Sequence, residues 1–193
     1  GLPTVANGHS RGLNVGGLAT VTQGSSVGVN VGGLASVTNG DATGVSLGGL
    51  VTVAGEGHLR GIQLGGLAVV GNRGIQGISA GGLAVVAGGG DLSGLQAGGL
   101  AVVAGGGDLT GLNAGGLAVV AGEGAIRGVN IGGLAVVGVD RVEGLNLGGL
   151  AVVSEREVRG FSLAGYKVEA RRSRGFAGSL GKVDVEDFQG LSV

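Results

Sequence analysis

The sequence predicts an all-β fold: a single-domain parallel β-solenoid of about ten coils, each 16 or 17 residues long, with an irregular C-terminal end. One unit recurs almost unchanged, as "GLQAGGLAVVAGGGDLS" from Gly94 and again as "GLNAGGLAVVAGGGDLT" from Gly111. A Gly-Gly pair returns at a fixed place in each unit, and apolar and polar residues alternate between the glycines. Such a period indicates a stacked array in which each repeat is one structural unit.

Each unit begins at a glycine that precedes a hydrophobic residue, here called the marker glycine. The markers recognised in the sequence are Gly12, Gly28, Gly44, Gly61, Gly77, Gly94, Gly111, Gly128, Gly144 and Gly160. The residue two places after the marker is Asn, Gln or Ser in all ten units, for example Asn113. We expect this position to form a polar ladder along one edge of the solenoid.

The glycines indicate corners, because glycine tolerates positive φ and close backbone approach. They also exclude a helix, in which each glycine costs about 1 kcal/mol relative to alanine. An antiparallel meander or an outer-membrane β-barrel is the alternative β architecture, since barrel strands are about ten residues long with weak alternation. A meander would repeat as a hairpin, whereas this repeat has the length of one strand. The aromatic girdles of membrane barrels are also missing from residues 1–159.

The domain is predicted to comprise regular solenoid repeats over residues 1–160 and degenerate repeats with a charged end over residues 161–193. At 164/165 the Gly-Gly pair becomes Ala-Gly, and the charged residues become denser from Glu155 onward. The final "GLSV" from Gly190 resembles the opening of another unit, so we expect the natural chain to continue. The absence of methionine at Gly1 predicts a processed or truncated start.

Composition narrows the function classes. The chain has no cysteine, which excludes disulfides and thiolate metal sites. Nine of the 25 charged side chains lie in residues 1–139, too few to neutralise a phosphate backbone, so no nucleic-acid partner is expected. A surface with so little charge is poorly soluble unless something covers it.

The units "GIQLGGLAVV" from Gly61 and "GLNLGGLAVV" from Gly144 resemble the glycine-leucine surface-repeat proteins of Gram-negative bacteria, a leptospiral-type family with units such as G-L-Q-L-G-L-V-N. The resemblance covers about residues 12–165. This chain departs from the pattern by doubling the glycine and losing the Asn after the second Leu. The resemblance implies an exported, extracytoplasmic protein associated with the cell envelope, and it transfers no functional residues.

No motif in the chain carries a catalytic, cofactor or metal site. The turns at Asp91 and Asp108 resemble calcium-binding β-roll repeats, but the spacing differs because Leu follows the Asp directly. His9 and His58 fall about three coils apart, or about 15 Å by stacking, which is too far to share a metal. We therefore expect a non-enzymatic protein with no cofactor and no small-molecule substrate.

Hydroxyl side chains of the early coils support a second function. "TVT" at Thr20–Thr22 and "SVT" at Ser36–Thr38 place threonines at alternate positions. Rows of threonine on a flat outer solenoid face can order water, which makes an ice- or surface-binding adhesin the alternative to a scaffold. The row fades from the fourth coil, where Val and Ala occupy the same columns.

In "LAVVAG" both alternating sets are apolar: Leu117, Val119 and Ala121 form one, and Ala118 and Val120 the other. The core holds one set, so the second makes an apolar strip on the outside. A soluble protein rarely leaves such a strip bare. The strip predicts docking on another protein or a membrane-embedded complex. Its central partner-facing residues are Val86, Val103, Val120 and Val137, or their neighbours if the alternation has the opposite parity.

The arginines of "RRSR" are the other predicted partner-facing residues: Arg171, Arg172 and Arg174. Guanidinium groups bind carboxylates or lipid phosphates, so lipid headgroups are a further expected partner of this cluster. A charged cap that prevents end-to-end stacking of solenoids explains the same arginines equally well.

Overall fold

A computed structural model describes residues 2–193 and shows an all-β chain of 22 strands without a helix in that range. Each regular coil contains a long strand and a short strand. The long strands are β2 Ser10–Gly16, β4 Ser26–Gly32, β6 Ala42–Gly48, β8 His58–Gly65, β10 Gly74–Gly81, β12 Leu92–Gly98, β14 Leu109–Gly115, β16 Ile126–Gly132, β18 Arg141–Gly148 and β20 Glu157–Ala164. The short strands are β3 Ala19–Thr22, β5 Ala35–Thr38, β7 Val51–Ala54, β9 Ala68–Gly71, β11 Ala84–Ala87, β13 Ala101–Ala104, β15 Ala118–Ala121, β17 Ala135–Gly138 and β19 Ala151–Ser154. The chain starts with β1 Thr4–Ala6 and ends with β21 Lys167–Ser179 and β22 Lys182–Ser192.

The strands pair in parallel, each with its equivalent in the next coil, which confirms the predicted parallel solenoid. β12 pairs with β14 and β14 with β16, so that Leu92, Leu109 and Ile126 stand in one column. The short strands pair in the same way, β13 with β15 and β15 with β17. This register excludes a meander, in which neighbouring strands would be antiparallel. Within residues 2–193 there is no helix long and apolar enough to cross a membrane.

The solenoid has about twelve turns, close to the predicted ten. Among residues 2–193, thirteen glycines have positive φ, and all of them except Gly74 occupy the marker position. Sequence reasoning missed the marker Gly175, and it took Gly190 only as a possible further unit. Gly160, Gly175 and Gly190 align in register although they are 15 residues apart, and no Gly-Gly pair follows Gly175. The C-terminal coils also differ in form, since β21 and β22 each run through a position where earlier coils have a break between strands.

The core consists of stacked inward columns. In the central coils these columns contain Leu109 from the long strand and Val119 and Ala121 from the short strand, all of which are fully buried. Removing a side chain such as leucine from water stabilises the fold by about 1.5–3 kcal/mol. Because each coil contributes only a few such residues, stacking is what makes the core continuous.

The Asn/Gln/Ser column also lies inside, so the prediction of a polar ladder along one edge was wrong. Asn113, Asn130 and Asn146 are at most 1% exposed. The Nδ2 of Asn113 donates to Oδ1 of Asn130 at 2.9 Å, and Asn130 in turn donates to Asn146 at 2.9 Å. Stacking one amide on the next pairs these groups along the axis, which removes most of the cost of burying them.

The Gly-Gly pair and the marker glycine occupy positions where a side chain has no room. A Cβ on the marker Gly111, which has φ of 111°, would overlap the carbonyl oxygen of Gly94 in the preceding coil. A Cβ on Gly116 would likewise overlap the carbonyl oxygen of Gly99. The repeat therefore preserves these glycines for close approach between coils.

Candidate docking surface

The outward side chains of the short strands form a continuous apolar surface, here called the valine strip. It has a valine column and a parallel alanine column. The valine column contains Val21, Val37, Val53, Val70, Val86, Val103, Val120, Val137 and Val153. The alanine column contains Ala19, Ala35, Val51, Ala68, Ala84, Ala101, Ala118, Ala135 and Ala151. All of these residues are half-buried, each partly covered by its neighbours in the stack.

The four valines singled out from the sequence lie together in this strip. Val86, Val103, Val120 and Val137 are direct register partners in successive short strands. They point outward because the intervening residues, such as Val119, point into the core. In the central coils the strip therefore presents the same two side chains at each step of about 4.8 Å.

A leucine column runs beside the valine strip, and its position corrects one detail of the sequence interpretation. The sequence pattern groups Leu117 with Val119 and Ala121, but Leu117 is 45% exposed while those two residues are buried. Leu117 precedes β15 and follows the Gly115–Gly116 corner, so the alternation of the strand does not extend to it. Equivalent leucines such as Leu100 and Leu134 are also 45% exposed, which extends the apolar surface around the corner.

Charged side chains follow the valine strip at its C-terminal end. Lys167 continues the alanine column after Ala151, and Glu169 continues the valine column after Val153. One coil further, Lys182 and Asp184 occupy the same two columns. The Nζ of Lys167 lies 2.7 Å from Glu169 and that of Lys182 lies 2.7 Å from Asp184. The apolar surface is therefore bounded by two cation–anion rows.

The long strands carry a second apolar surface that sequence reasoning did not assign. Leu95 and Leu112, each one residue after a marker glycine, are 44% and 47% exposed. Next to them a shallow apolar groove of about 1050 Å³ runs along the Gly-Gly pairs from Val31 to Gly133. The leucine column thus stands between two apolar surfaces, and the polar side chains lie elsewhere on the coil.

The polar side of each coil lies at the turn between the short strand and the next long strand. Asp108 accepts a hydrogen bond from the backbone N–H of Ala125 at 2.8 Å and faces Arg127 at 2.6 Å. Asp91 accepts from the N–H of Asp108 in the same way, also at 2.8 Å. The aspartates of the "GGGD" turns therefore join one coil to the next. Groups of three or more His, Cys, Asp or Glu arranged to hold a metal are not found in residues 2–193.

The three predicted partner-facing arginines lie on this polar side and not on the valine strip. Arg172 faces Asp187 at 3.3 Å, and Arg174 faces Glu157 at 3.5 Å. Arg171 is exposed and belongs to none of the ion pairs within residues 2–193. With Arg141, Arg156 and four carboxylates, Arg171 and Arg172 line a charged depression of about 500 Å³. The guanidinium groups are thus interleaved with acids.

Glu157 is the most enclosed carboxylate of this region, with a side chain only 10% exposed. The Nε of Arg159 lies 2.9 Å from its Oε1. This contact is the main reason that the pKa of Glu157 is held below its ordinary value of 4.5, and Arg174 and Arg172 act in the same direction. Burial opposes the effect but is outweighed.

The hydroxyls of the early coils lie inside the solenoid. Thr20, Thr22, Ser36, Thr38 and Thr52 are at most 4% exposed. Thr38 pairs with the Ser26 hydroxyl at 3.1 Å, and Thr22 with the Ser10 hydroxyl at 3.1 Å. The outer row of threonines that an ice-binding surface requires is therefore an interior feature here.

One feature of the sequence predicts that the Asn/Gln/Ser column is buried. The Asn/Gln/Ser position never carries a charge in ten units, whereas the residue before the marker glycine varies among Arg60, Ser93, Thr110 and Glu143. An exposed position tolerates such variety, and a buried ladder needs an amide or a hydroxyl. The restriction therefore indicates burial.

No protein-family model, curated protein or solved structure matches this chain. The assignment of a function consequently depends on the surfaces described above.

Proposed function

We propose that this protein is a non-enzymatic structural or interaction scaffold, an exported accessory subunit that docks on another protein or a membrane-embedded assembly through its valine strip. The observation that carries the proposal is the unbroken outward valine column from Val21 to Val153, nine coils long. At about 4.8 Å per coil, the strip is about 40 Å long. Apolar patches of this extent on monomers usually mark interaction sites.

The rigidity of the solenoid supports a scaffold role. Each coil is bonded to its neighbours through two parallel strand pairings, and the Asp turns and the amide ladder add further contacts between coils. Such an array presents a long, straight surface whose side chains lose little freedom when a partner binds. An envelope location follows from the resemblance to surface-repeat proteins and remains part of the proposal.

The arginine cluster has a secondary part in this proposal. Arg171 is exposed at the C-terminal end, and the neighbouring guanidinium groups share their charge with carboxylates. Such a region steers a charged partner or lipid headgroups more than it adds affinity. The adhesin alternative loses its basis, since its hydroxyl rows lie in the core.

A binding experiment with membranes of the source cell tests the proposal. A tagged variant with Val103→Lys, Val120→Lys and Val137→Lys should fold, as judged by its β-type circular dichroism, and should no longer bind the membrane fraction. A control with Ser93→Lys and Thr110→Lys places the charges on the polar side and should bind like the wild type. Equal binding of the valine variant and the wild type would contradict docking through the strip.

A further inference from the structure

We infer that the valine strip pairs with a second copy of this chain, in a parallel dimer whose two-fold axis runs along the solenoid axis between the valine and alanine columns. The inference rests on the proposed function in one respect, because it names the partner of the proposed docking surface. The order of large, small and charged side chains across the strip favours such a dimer.

The profile of the strip is self-complementary. Alanine and valine on one strand face are two residues apart, which separates the two columns by about 6.6 Å. A two-fold axis midway between them places each Val120 over Ala118 of the other copy, so that a ridge faces a groove on both sides. Val51 is the exception to the small-residue column. Ladders of identical side chains interdigitate in this way in dry interfaces between paired sheets.

The same two-fold axis pairs opposite charges at the C-terminal end. Lys167 and Lys182 continue the alanine column, and Glu169 and Asp184 continue the valine column. The axis that places valine over alanine therefore places Lys167 over Glu169 of the other copy. It also places Lys182 over Asp184 of that copy. An antiparallel dimer would instead place these four charges on the apolar N-terminal coils, at a desolvation cost.

The spacing and the area of the strip also fit a second copy. A partner that interdigitates with rows about 4.8 Å apart needs the same repeat, which a second solenoid has and a lipid surface lacks. The strip and its charged rows extend over about 50 Å, and from the leucine column to the valine column they span four residues, or about 13 Å at about 3.3 Å per residue. Each copy would bury about 650 Å², or about 1,300 Å² for the pair, which is within the range of about 1,200–2,000 Å² for stable complexes.

Three variants with charges in one coil test this arrangement by the molar mass of the purified protein in solution. The cation chain has Ala118→Lys and Val120→Lys, and the anion chain has Ala118→Glu and Val120→Glu. The third chain has Ala118→Lys with Val120→Glu, which copies the natural Lys167 and Glu169 pattern. Thr110→Lys on the polar side is the matched control, and circular dichroism verifies the fold of every variant.

The wild type, the control and the third chain should each have twice the mass of one chain. The cation and anion chains should each be monomers, and an equimolar mixture of the two should form a dimer. The dimer is overturned if the wild type is a monomer at high concentration. It is also overturned if the third chain is a monomer while the control forms a dimer. A third contradicting result is a wild type that does not dimerise and instead floats with vesicles of phosphatidylethanolamine and phosphatidylglycerol.

The outcome separates this inference from the docking proposal. If the purified chain is a monomer and still binds source membranes through the valine strip, the dimer is wrong and docking on another assembly stands. If the monomer binds no membranes, both proposals fail. If it dimerises and the dimer does not bind, the dimer alone is supported.

Discussion

At the scale of single residues, the fold depends on hydrogen bonds between the buried asparagines of its core column. Asn130 accepts from Asn113 and donates to Asn146, and all three are buried. Replacing Asn130 by Ala leaves the Nδ2 donor of Asn113 and the Oδ1 acceptor of Asn146 without these partners. We expect Asn130→Ala to lower the free energy of unfolding by about 1–3 kcal/mol.

Chemical denaturation measures this loss. Thr110→Ala, which trims a half-buried side chain on the outer surface, is the matched control and should cost less than about 0.5 kcal/mol. Equal losses for the two variants would show that the amide ladder does not stabilise the core.

The corner glycines provide a second test at this scale. A Cβ on Gly116 overlaps a backbone carbonyl of the preceding coil. A Cβ on Gly89 would have only the Asn72 carbonyl oxygen nearby outside its own chain neighbours, at 3.6 Å. Gly116→Ala should therefore prevent cooperative folding or lower the melting temperature strongly. Gly89→Ala should be tolerated, and circular dichroism with a thermal scan compares the two. A Gly116→Ala protein as stable as Gly89→Ala would contradict the close stacking of corners.

At the scale of strands, Glu157 at the start of β20 couples the last regular coil to β21. Its pKa is lowered mainly by Arg159, so its stabilising contribution is fully present above the ordinary value of 4.5. The contribution is lost as the pH falls from 4.5 through the lower pKa of the folded state. We expect Glu157→Gln to reduce the melting temperature at pH 7, and the difference from the wild type to shrink in acid.

Thermal melts from pH 7 to pH 3 follow this difference. Glu155→Gln, which removes an exposed carboxylate two residues earlier, should leave the melting temperature almost unchanged at each pH. A difference between Glu157→Gln and the wild type that stays constant or grows in acid would contradict the assigned role of the Arg159 contact.

At the scale of strands, the repeat predicts some structural features and leaves others undetermined. Glycine spacing and the strand-length period were sufficient to predict parallel stacking. The alternation in "LAVVAG" separated two sets of side chains without deciding which set faces outward, and the structure shows that Val120 belongs to the outward set. Alternation alone could not say which side of the long strand faces the core. Asn113 was therefore placed on an edge, although hydrogen bonding along the axis makes its burial favourable. Gly175 was missed because the step shortens to 15 residues there and the Gly-Gly pair is absent.

At the scale of the whole molecule, the solenoid has a gradient in its core. Ser10, Ser26 and Ala42 occupy the inward column that holds Leu109 and Ile126 in the central coils. Each exchange of a buried leucine for a small or polar residue forgoes about 1.5–3 kcal/mol of burial. Because coils of a repeat array gain stability mainly from their neighbours, such differences act locally.

Amide hydrogen exchange should therefore be faster in β2, β4 and β6 than in β12, β14 and β16. Fraying at a chain end also speeds exchange, so a variant separates the two causes. Ser26→Leu with Ser36→Val and Thr38→Ala gives the second coil the core residues of the Leu109 coil, and it should slow exchange in β4. If amide exchange in β4 is as fast in that variant as in the wild type, fraying alone explains the gradient.

We expect a partner to cover the valine strip in the native assembly. The chain has no cysteine, so single cysteines report on chosen positions. Val120 in the strip and Thr110 on the polar side are both half-buried in one chain. The most direct measurement is the rate of maleimide labelling of the Val120→Cys and Thr110→Cys variants in source membranes. We expect labelling at position 120 to be at least about tenfold slower than at position 110, whereas equal rates at the two positions would show that the strip is bare.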